Sequence, residues 1–423
     1  MLTIYNLFLV LYRLGARLIS PWNKKVRLWL DGRKNLFYIL ERSGIAEQNC
    51  LVWMHCASLG EFEQGRPLLE KIKEKTPHYK ILLTFFSPSG YEAKKDYTGA
   101  DYIFYLPADS SRNAEKFLNI IKPCLVLWVK YEYWYYYLFE IRKREVPLLL
   151  VSGIFREGQP FFKWYGGLHR RMLACFDRFF VQTPQSQELL ATIGFKEKTE
   201  ISGDTRFDRV IEIAAQNKPM ELIDLFCRDF PVLVAGSTWE EDEEELDHFA
   251  RTRPDIRFII APHEVGDERV REIETLFVNC LRYSTLKEMQ SAGKIMIPPG
   301  TNTLIIDNIG MLASLYRYGR ITYVGGGFGD DGVHNVLEAA VYGKPVIFGP
   351  VIEKYIEAIE LAESGGGFVI ESALEAEKIF TLLLGNEDEY HNACRASIEY
   401  VNEKKGATDR ILKYIYENRL LTN

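Results

Sequence analysis

The strongest constraint on this chain is an alternation that runs through both of its halves. Short, nearly continuous apolar runs are separated by longer stretches with helical periodicity. In the first half the runs are residues 51–56, 81–86, 102–106, 125–129, 148–152 and 179–182. In the second half they are 232–236, 257–261, 304–306, 321–325, 346–349 and 368–370. Rich in Val, Ile, Leu and Phe, they have the pattern of strands buried on both faces of a parallel sheet. Helical patterns such as residues 222–228 and 268–277 lie between them. This predicts an α/β fold with two Rossmann-like, doubly wound parallel-sheet domains facing a central cleft. At 423 residues the chain also exceeds the ~250–300 residues that one core usually serves. The polar stretch at residues 208–231 is the natural break. The expected division is a segment 1–20, a first domain 21–210 and a second domain 211–423.

Ligands of such sheets bind beyond the carboxyl ends of the strands, so the loops there carry the candidates. The run 321–325 leads into Gly325-Gly326-Gly327-Phe328-Gly329-Asp330-Asp331-Gly332 and then His334-Asn335-Val336-Leu337-Glu338. Glycines let a ligand approach the main chain, and a helix opening near His334 would offer free N–H groups to a phosphate. Glu338 is placed to accept hydrogen bonds from a ribose. Gly327, Gly329 and Gly332 also satisfy the dinucleotide spacing GxGxxG. The next strand ends in Gly349-Pro350 rather than in the acidic residue a dinucleotide site needs, which argues against a nicotinamide enzyme. Two further strand ends in this half read Asp307-Asn308-Ile309-Gly310-Met311 and Ala261-Pro262-His263-Glu264. After Gly236, Ser237 or Thr238 is placed to cap a helix whose acidic start, residues 240–245, reads as a solvated face.

In the first half, the first strand leads to Ser58-Leu59-Gly60-Glu61, a capping-box pattern that also sets a carboxylate at a strand end, where it can serve as a general base. Ser87 and Ser89 follow the second strand with hydroxyls suited to a sugar or phosphate. The segment Trp128-Val129-Lys130-Tyr131-Glu132-Tyr133-Trp134 gathers a cation, an anion and aromatic rings, read either as a sugar-binding surface or as core packing. Arg206, in Ser202-Gly203-Asp204-Thr205-Arg206, lies where the two halves join and is suited to neutralise a phosphate.

A net charge of -6 gives no global reason to expect nucleic acid. Seven single cysteines without a CxxC pair argue against a disulfide framework or a zinc site. No Asp-x-Asp triplet occurs, so a metal is not expected. The apolar run 1–11 is too short by itself to span a bilayer, and Arg13, Arg17, Lys24, Lys25, Arg27, Arg33 and Lys34 follow it. That order suits a helix in a membrane interface with its cations on anionic headgroups; the alternative is a first helix packed on its own domain.

Taken together, these residues resemble the 3-deoxy-D-manno-oct-2-ulosonic acid (Kdo) transferases of Gram-negative bacteria over nearly the whole chain. The most specific pieces are Ser58-Leu59-Gly60-Glu61, residues 84–90 and 203–208, Val324-Gly325-Gly326 with residues 334–338, and residues 345–350. The resemblance implies a GT-B fold and an inverting glycosyltransferase of lipopolysaccharide core biosynthesis. Its donor would be CMP-Kdo and its acceptor a lipid A precursor, lipid IV-A, with no cofactor and no metal. It would act at the cytoplasmic face of the inner membrane. By the same resemblance Glu61 is the general base, while Lys130 and Arg206 stabilise the transition state. Pro262, His263, Ile309, Gly310, Met311, Asn335, Val336, Leu337 and Glu338 contact CMP, and Ser87, Ser89 and Glu132 lie on the acceptor side. Several positions depart from the commoner pattern: Lys130 stands for a Glu, Arg206 for a Lys, His263 for an Arg, Met311 for a Glu and Val333 for a Gly. Two other readings remain open at this point. One is a GT-B transferase or epimerase using a UDP-sugar; the other is a non-catalytic, membrane-bound sugar-nucleotide-binding protein.

Overall fold

The structure is a computed structural model, and it describes residues 2–48, 50–130, 132–216 and 218–422. The chain divides into two compact units: Met1–Asp208 with Lys405–Asn423, and Arg209–Lys404.

The first unit is built on seven strands: β1 (Leu51–Cys56), β2 (Lys80–Phe85), β3 (Tyr102–Tyr105), β4 (Leu125–Val129), β5 (Leu148–Gly153), β6 (Arg178–Val181) and β7 (Thr199–Ile201). Every adjacent pair is parallel, in the order β3-β2-β1-β4-β5-β6-β7. The strand order reverses between β1 and β4, and helices cover both faces. Leu51 and Trp53 of β1 enter one core with Val126 and Trp128 of β4. Val52 and Met54 enter the other with Leu125, Leu127 and Val129. That two-sided burial is why these strands read as unbroken apolar runs.

The second unit has β8 (Val232–Thr238), β9 (Arg257–Pro262), β10 (Cys280–Arg282), β11 (Thr303–Ile305), β12 (Ile321–Val324), β13 (Val346–Phe348) and β14 (Gly367–Val369). It too is wholly parallel, in the order β10-β11-β9-β8-β12-β13-β14, and its order reverses between β8 and β12. The two reversal points are where ligands bind in open α/β sheets.

All twelve expected strands are present within one or two residues of their expected ends. The two outer strands β7 and β10 were not anticipated. Each is three residues long, with a polar residue among them, and too short to show a pattern. A further difference concerns the domain limits. Residues 405–423 belong with the first unit, not with the second as expected. The final helix, Ala407–Glu417, buries Ile411, Leu412 and Ile415 in the core beneath β1 and β4. Asp208 ties the start of that helix down by accepting from the Gly406 N–H and, at 2.7 Å, from the Thr408 N–H. Arg410 donates to the Ser202 carbonyl at 2.6 Å.

Residues 2–19 form one continuous helix, Leu2–Ile19, longer than the apolar run alone indicated, since the helix carries on through Arg13 and Arg17. By length and composition it is long and apolar enough to cross a membrane, and only 6% of it is buried. Ile4, Leu7, Phe8, Val10, Leu11, Leu14 and Leu18 are exposed. Its other side is fastened to the body. Tyr5 donates to Asp109 at 2.6 Å and accepts from the Tyr135 N–H at 3.1 Å, and Arg13 donates to the Asp109 carbonyl at 3.0 Å. Met1, at the head of the segment 1–20, lies outside the described residues.

Candidate active site

At the reversal point of the first sheet, β1 runs into the helix Leu59–Lys75. Ser58 is its N-cap and accepts from the Glu61 N–H at 3.4 Å. Glu61 is 7% exposed and its carboxylate accepts from the Ala57 N–H, one residue before the cap itself. The expected capping pattern is therefore present in altered form. It seats a buried carboxylate in the first turn of a helix, where the dipole favours the anion.

One turn further on, Gln64 donates to Asp204 at 3.2 Å. Asp204 is buried and holds Arg206 by its Nε at 2.9 Å and its Nη2 at 2.7 Å. Burial pushes the Asp204 carboxyl up, but the Arg206 guanidinium and the Lys130 ammonium outweigh it and hold it below the usual carboxylate range. Arg206 is thus oriented by its own carboxylate rather than presented as a bare cation. Lys130 ends β4 in the left-handed region, φ 55°, a conformation that costs a side-chain-bearing residue ~1–3 kcal/mol and marks functional sites. Lys130 and Arg206 thus act together on Asp204, and Gln64, one turn beyond Glu61 on the same helix, joins them.

In the aromatic stretch at the end of β4 the structure shows core packing. Trp128 is fully buried in the core, and Tyr133 packs on Phe161 and Phe176. Tyr131 lies outside the described residues. Glu132 is anchored by Trp134, whose Nε1 donates to it at 2.9 Å. Its other neighbour is His55, a fully buried residue of β1 that the sequence reading passed over. His55 Nε2 lies 3.6 Å from Glu132 Oε2, and His55 Nδ1 lies 2.9 Å from Thr84 Oγ1. Trp53 Nε1 donates to the same Thr84 oxygen at 2.8 Å. An indole only donates, so Thr84 accepts from Trp53, and the same oxygen bonds His55 Nδ1. His55 Nε2 faces the Glu132 carboxylate but is too far from it for a hydrogen bond. Trp53, Thr84, His55 and Glu132 so form one polar cluster. The cue was present in sequence as a lone His in an otherwise apolar strand. Thr84 is buried within this cluster and is not available to a sugar, while Ser87 and Ser89 bond each other at 2.8 Å beside the same strand ends.

At the reversal point of the second sheet, Gly325 and Gly326 follow β12. A Cβ on Gly325 would lie 2.4 Å from the Ser237 carbonyl, so only glycine lets this loop close on the end of β8. The glycines do not hold their N–H groups open. Those of Gly325, Gly326, Gly329, Gly332 and His334 are bonded within the protein. The N–H groups of Asn335 and Val336 have no partner among the described residues, and they precede a helix of a single turn, Leu337–Ala340. The free N–H groups expected at a helix start near His334 are thus those of the Asn335-Val336 step, ahead of a single turn. Asn335 also donates to Glu338 at 3.1 Å.

The acidic helix start is only partly the solvated face expected, and no hydroxyl caps it. Glu240 and Glu241 are exposed, but Asp242 and Glu243 are buried. Asp242 accepts from the Trp239 N–H (2.9 Å), the Gly326 N–H (2.8 Å) and the Tyr323 hydroxyl (2.7 Å), so it clamps the glycine loop onto the helix. Glu243 accepts from Thr238 at 2.8 Å and from Arg269; burial still pushes its carboxyl up to about 7. The hydroxyl expected to cap the helix thus serves Glu243, and Trp239 takes the cap position.

Over this frame three rings stack. Trp239 lies 4.6 Å from His263 and His263 4.6 Å from His334, centroid to centroid, with interplanar angles of 23° and 19°. Trp239 Nε1 donates to His334 Nε2 at 3.0 Å, which requires a neutral imidazole with its proton on Nδ1. Burial, with His263 beside it, pushes the His334 pKa down to about 4. The ends of β8, β9 and β12 are thereby joined by a polarisable platform next to the Asn335-Val336 donors. Pro262 ends β9 against Thr238. Gly310 turns with φ 99°, Ile309 is exposed, and Met311 precedes the Leu312–Leu315 turn. Among the described residues no hydrogen bond or ring contact brings Ile309, Gly310 and Met311 to the ring platform.

Comparison with known proteins shows what the chain is similar to. Residues 34–209 match the family model described as 3-deoxy-D-manno-octulosonic-acid transferase (kdotransferase). A bifunctional glycosyltransferase/methyltransferase of Fusobacterium nucleatum is 30% identical over 99% of this chain, which spans only 62% of that protein's length. A 3-deoxy-D-manno-octulosonic acid transferase of Haemophilus influenzae is 25% identical over 85% of each protein. Among solved structures, the UDP-GlcNAc 2-epimerase of Neisseria meningitidis superposes with a TM-score of 0.56 at 17% identity, covering 87% of this chain and all of that one, a likeness of fold alone. The two parallel seven-stranded sheets have the GT-B fold, and in sequence the chain is similar to 3-deoxy-D-manno-octulosonic acid transferases.

Proposed function

We propose that the protein is an inverting glycosyltransferase that moves Kdo from CMP-Kdo to a lipid A precursor, lipid IV-A, in lipopolysaccharide core biosynthesis. The observation that carries this reading is the seating of Glu61, a buried carboxylate fixed in a helix first turn at the reversal point of the first sheet, which we take as the general base. In this mechanism Glu61 takes the proton of an acceptor hydroxyl as that oxygen bonds to the anomeric carbon of Kdo. The bond from that carbon to the CMP phosphate oxygen breaks on the opposite face, and configuration inverts. The leaving group is a phosphate monoester, whose charge the Asn335 and Val336 N–H groups can stabilise without a metal or other cofactor. The ring platform of Trp239, His263 and His334 suits a flat cytosine, and Glu338 a ribose hydroxyl.

The acceptor is a lipid, so we place the reaction at the cytoplasmic face of the inner membrane, with the exposed face of the Leu2–Ile19 helix in the lipid. Glu61→Gln should lower kcat for Kdo transfer by at least about a hundredfold, the usual contribution of a general base, and leave CMP affinity within a few-fold. Transfer is read by mass spectrometry of the lipid product. An unchanged kcat removes Glu61 from the mechanism. The rival readings are separated by the donor: turnover of a UDP-sugar with none of CMP-Kdo overturns the proposal, and CMP-Kdo binding without any transfer makes the protein a binding module.

A further inference from the structure

Two neighbouring cavities of the first unit are not used by the chemistry above. The first, about 250 Å³, is lined by Arg13, Arg17, Arg33 and Lys34 together with Trp29 and Asn113, and no carboxylate lines it among the described residues. Lys34 pairs with Asp31 at 2.7 Å outside the cavity. Arg33 has no such partner. Its guanidinium donates to the carbonyls of Trp29 (2.9 Å), Phe86 (2.8 Å) and Leu106 (2.9 Å), and it lies over the rings of Trp29, Phe86 and Tyr105. Glu132, the carboxylate whose charge reaches it, forms no ion pair with it. Burial pushes its pKa down to about 10, so it stays charged at neutral pH. A desolvated cation without a counter-ion is costly, and four cations around one cavity raise that cost. The Trp29 Nε1–H is buried and has no hydrogen-bond partner either.

The second cavity, about 430 Å³, is a groove lined mainly by apolar groups, among them Tyr12, Gly15, Ala16, Ile19, Trp29 and Phe86. Trp29 lines both cavities, so the groove and the basic pocket adjoin. Ser87 stands at the groove's edge, next to the ends of β1 and β2. The geometry points to one occupant for both: the phosphorylated acceptor lipid, with a phosphate monoester among Arg13, Arg17, Arg33 and Lys34 and an acyl chain along the groove. That the lipid is the acceptor rests on the function proposed above; that the cavities take a phosphate-bearing lipid does not. The phosphate supplies the counter-charge that Arg33 and Arg17 lack, and the chain covers apolar groups that face solvent.

The test is calorimetric binding to the full chain of three probes: dioctanoyl phosphatidic acid, dioctanoylglycerol and inorganic phosphate. Phosphatidic acid should bind at least about tenfold tighter than either of the others, since only it engages both cavities. Arg17→Glu, on an exposed residue, should remove most of that advantage and leave dioctanoylglycerol unaffected. A Cβ on Gly15 meets nothing within 4 Å, so Gly15→Leu fills the groove without a clash and, by helix propensity, without harming the helix. It should weaken phosphatidic acid about tenfold and leave inorganic phosphate unchanged. Equal affinity for phosphatidic acid and dioctanoylglycerol, or for phosphatidic acid and inorganic phosphate, overturns the site, as does indifference to both variants. The same preparations are assayed for Kdo transfer. Lipid binding without transfer sinks the functional proposal alone; transfer without the binding pattern sinks the site alone.

Discussion

His55 shows how much a single residue's surroundings decide. Its imidazole is fully buried, with Thr84 on one nitrogen and Glu132 facing the other, and the indole of Trp53 donates to the same Thr84 oxygen. We propose that Glu132 in turn lies on the acceptor side of the reaction. Replacing His55 by Gln keeps a polar group beside Thr84 but removes the imidazole facing Glu132. We expect KM for the acceptor to rise, with CMP affinity unchanged, measured by steady-state kinetics. Restoration by Glu132→Gln in the same chain would show that the contact with Glu132, rather than packing, is what His55 supplies. Trp239 poses a similar case in the second unit. Its N–H keeps His334 neutral, so Trp239→Phe retains the stack and removes the bond. His334 should then titrate above its present value of about 4, seen by NMR of its ring protons. The sign of the linkage follows. A folded-state pKa below the ordinary 6.5 contributes stability that is present above pH 6.5 and is lost as pH falls through about 4. The variant should narrow that window. An unmoved titration would mean that burial alone sets it. The sequence placed Glu61, Lys130 and Arg206 just beyond strands, as the structure has them, because chain order in a doubly wound sheet puts loops and helix starts there. It did not reveal Asp204 as the partner of Arg206 or His55 as the partner of Glu132, since pairing depends on which strands become neighbours.

At the scale of elements, the Leu2–Ile19 helix presents two faces with opposite fates. Tyr5 and Arg13 bind it to Asp109, while Leu7, Leu11 and Leu18 point away into solvent. Exposed apolar side chains in such number call for a covering, and a bilayer supplies one without further protein. Leu7→Glu with Leu11→Glu should therefore move the protein from the vesicle-bound to the soluble fraction in flotation on anionic vesicles, while the thermal midpoint stays within a few degrees. Retention on vesicles would place the membrane contact elsewhere, and a large loss of stability would mean that the face packs on protein. The same division of one element explains where periodicity misled. The helix Glu240–Thr252 begins with four acids, two exposed and two buried under the glycine loop. Composition marks all four as solvated. Only the approach of the β12 loop, made possible by Gly325 and Gly326, decides which two are not. The strands fared better because burial on both faces leaves a continuous apolar signature, and β7 and β10 escaped because three-residue edges need none.

For the whole molecule, a linear division of the chain failed at its end. The final helix returns to the first unit, and Asp208, at the boundary between the units, receives it. A sequence reading has no local signal for such a return: the helix Ala407–Glu417 is amphipathic, and its apolar stripe fits any sheet face. Its placement has a thermodynamic consequence. Ile411, Leu412 and Ile415 are buried with Val52, Leu125 and Phe180, and burial of three aliphatic side chains is worth on the order of 5 kcal/mol, from ~1.5–3 kcal/mol each. That is a large share of the ~5–15 kcal/mol by which a domain is usually stable. Truncation after Lys404 should therefore split urea unfolding into two transitions. The earlier one, from the first unit, should move to much lower urea, and the later one, from residues 209–404, should hold its midpoint. Asp208→Ala removes only the helix's N-terminal anchor and should shift the same first transition by about 1 kcal/mol. CMP binding distinguishes the units independently, since the candidate nucleotide residues all lie between 239 and 338. It should survive the truncation, and its loss together with the first transition would show that the two units cannot fold apart.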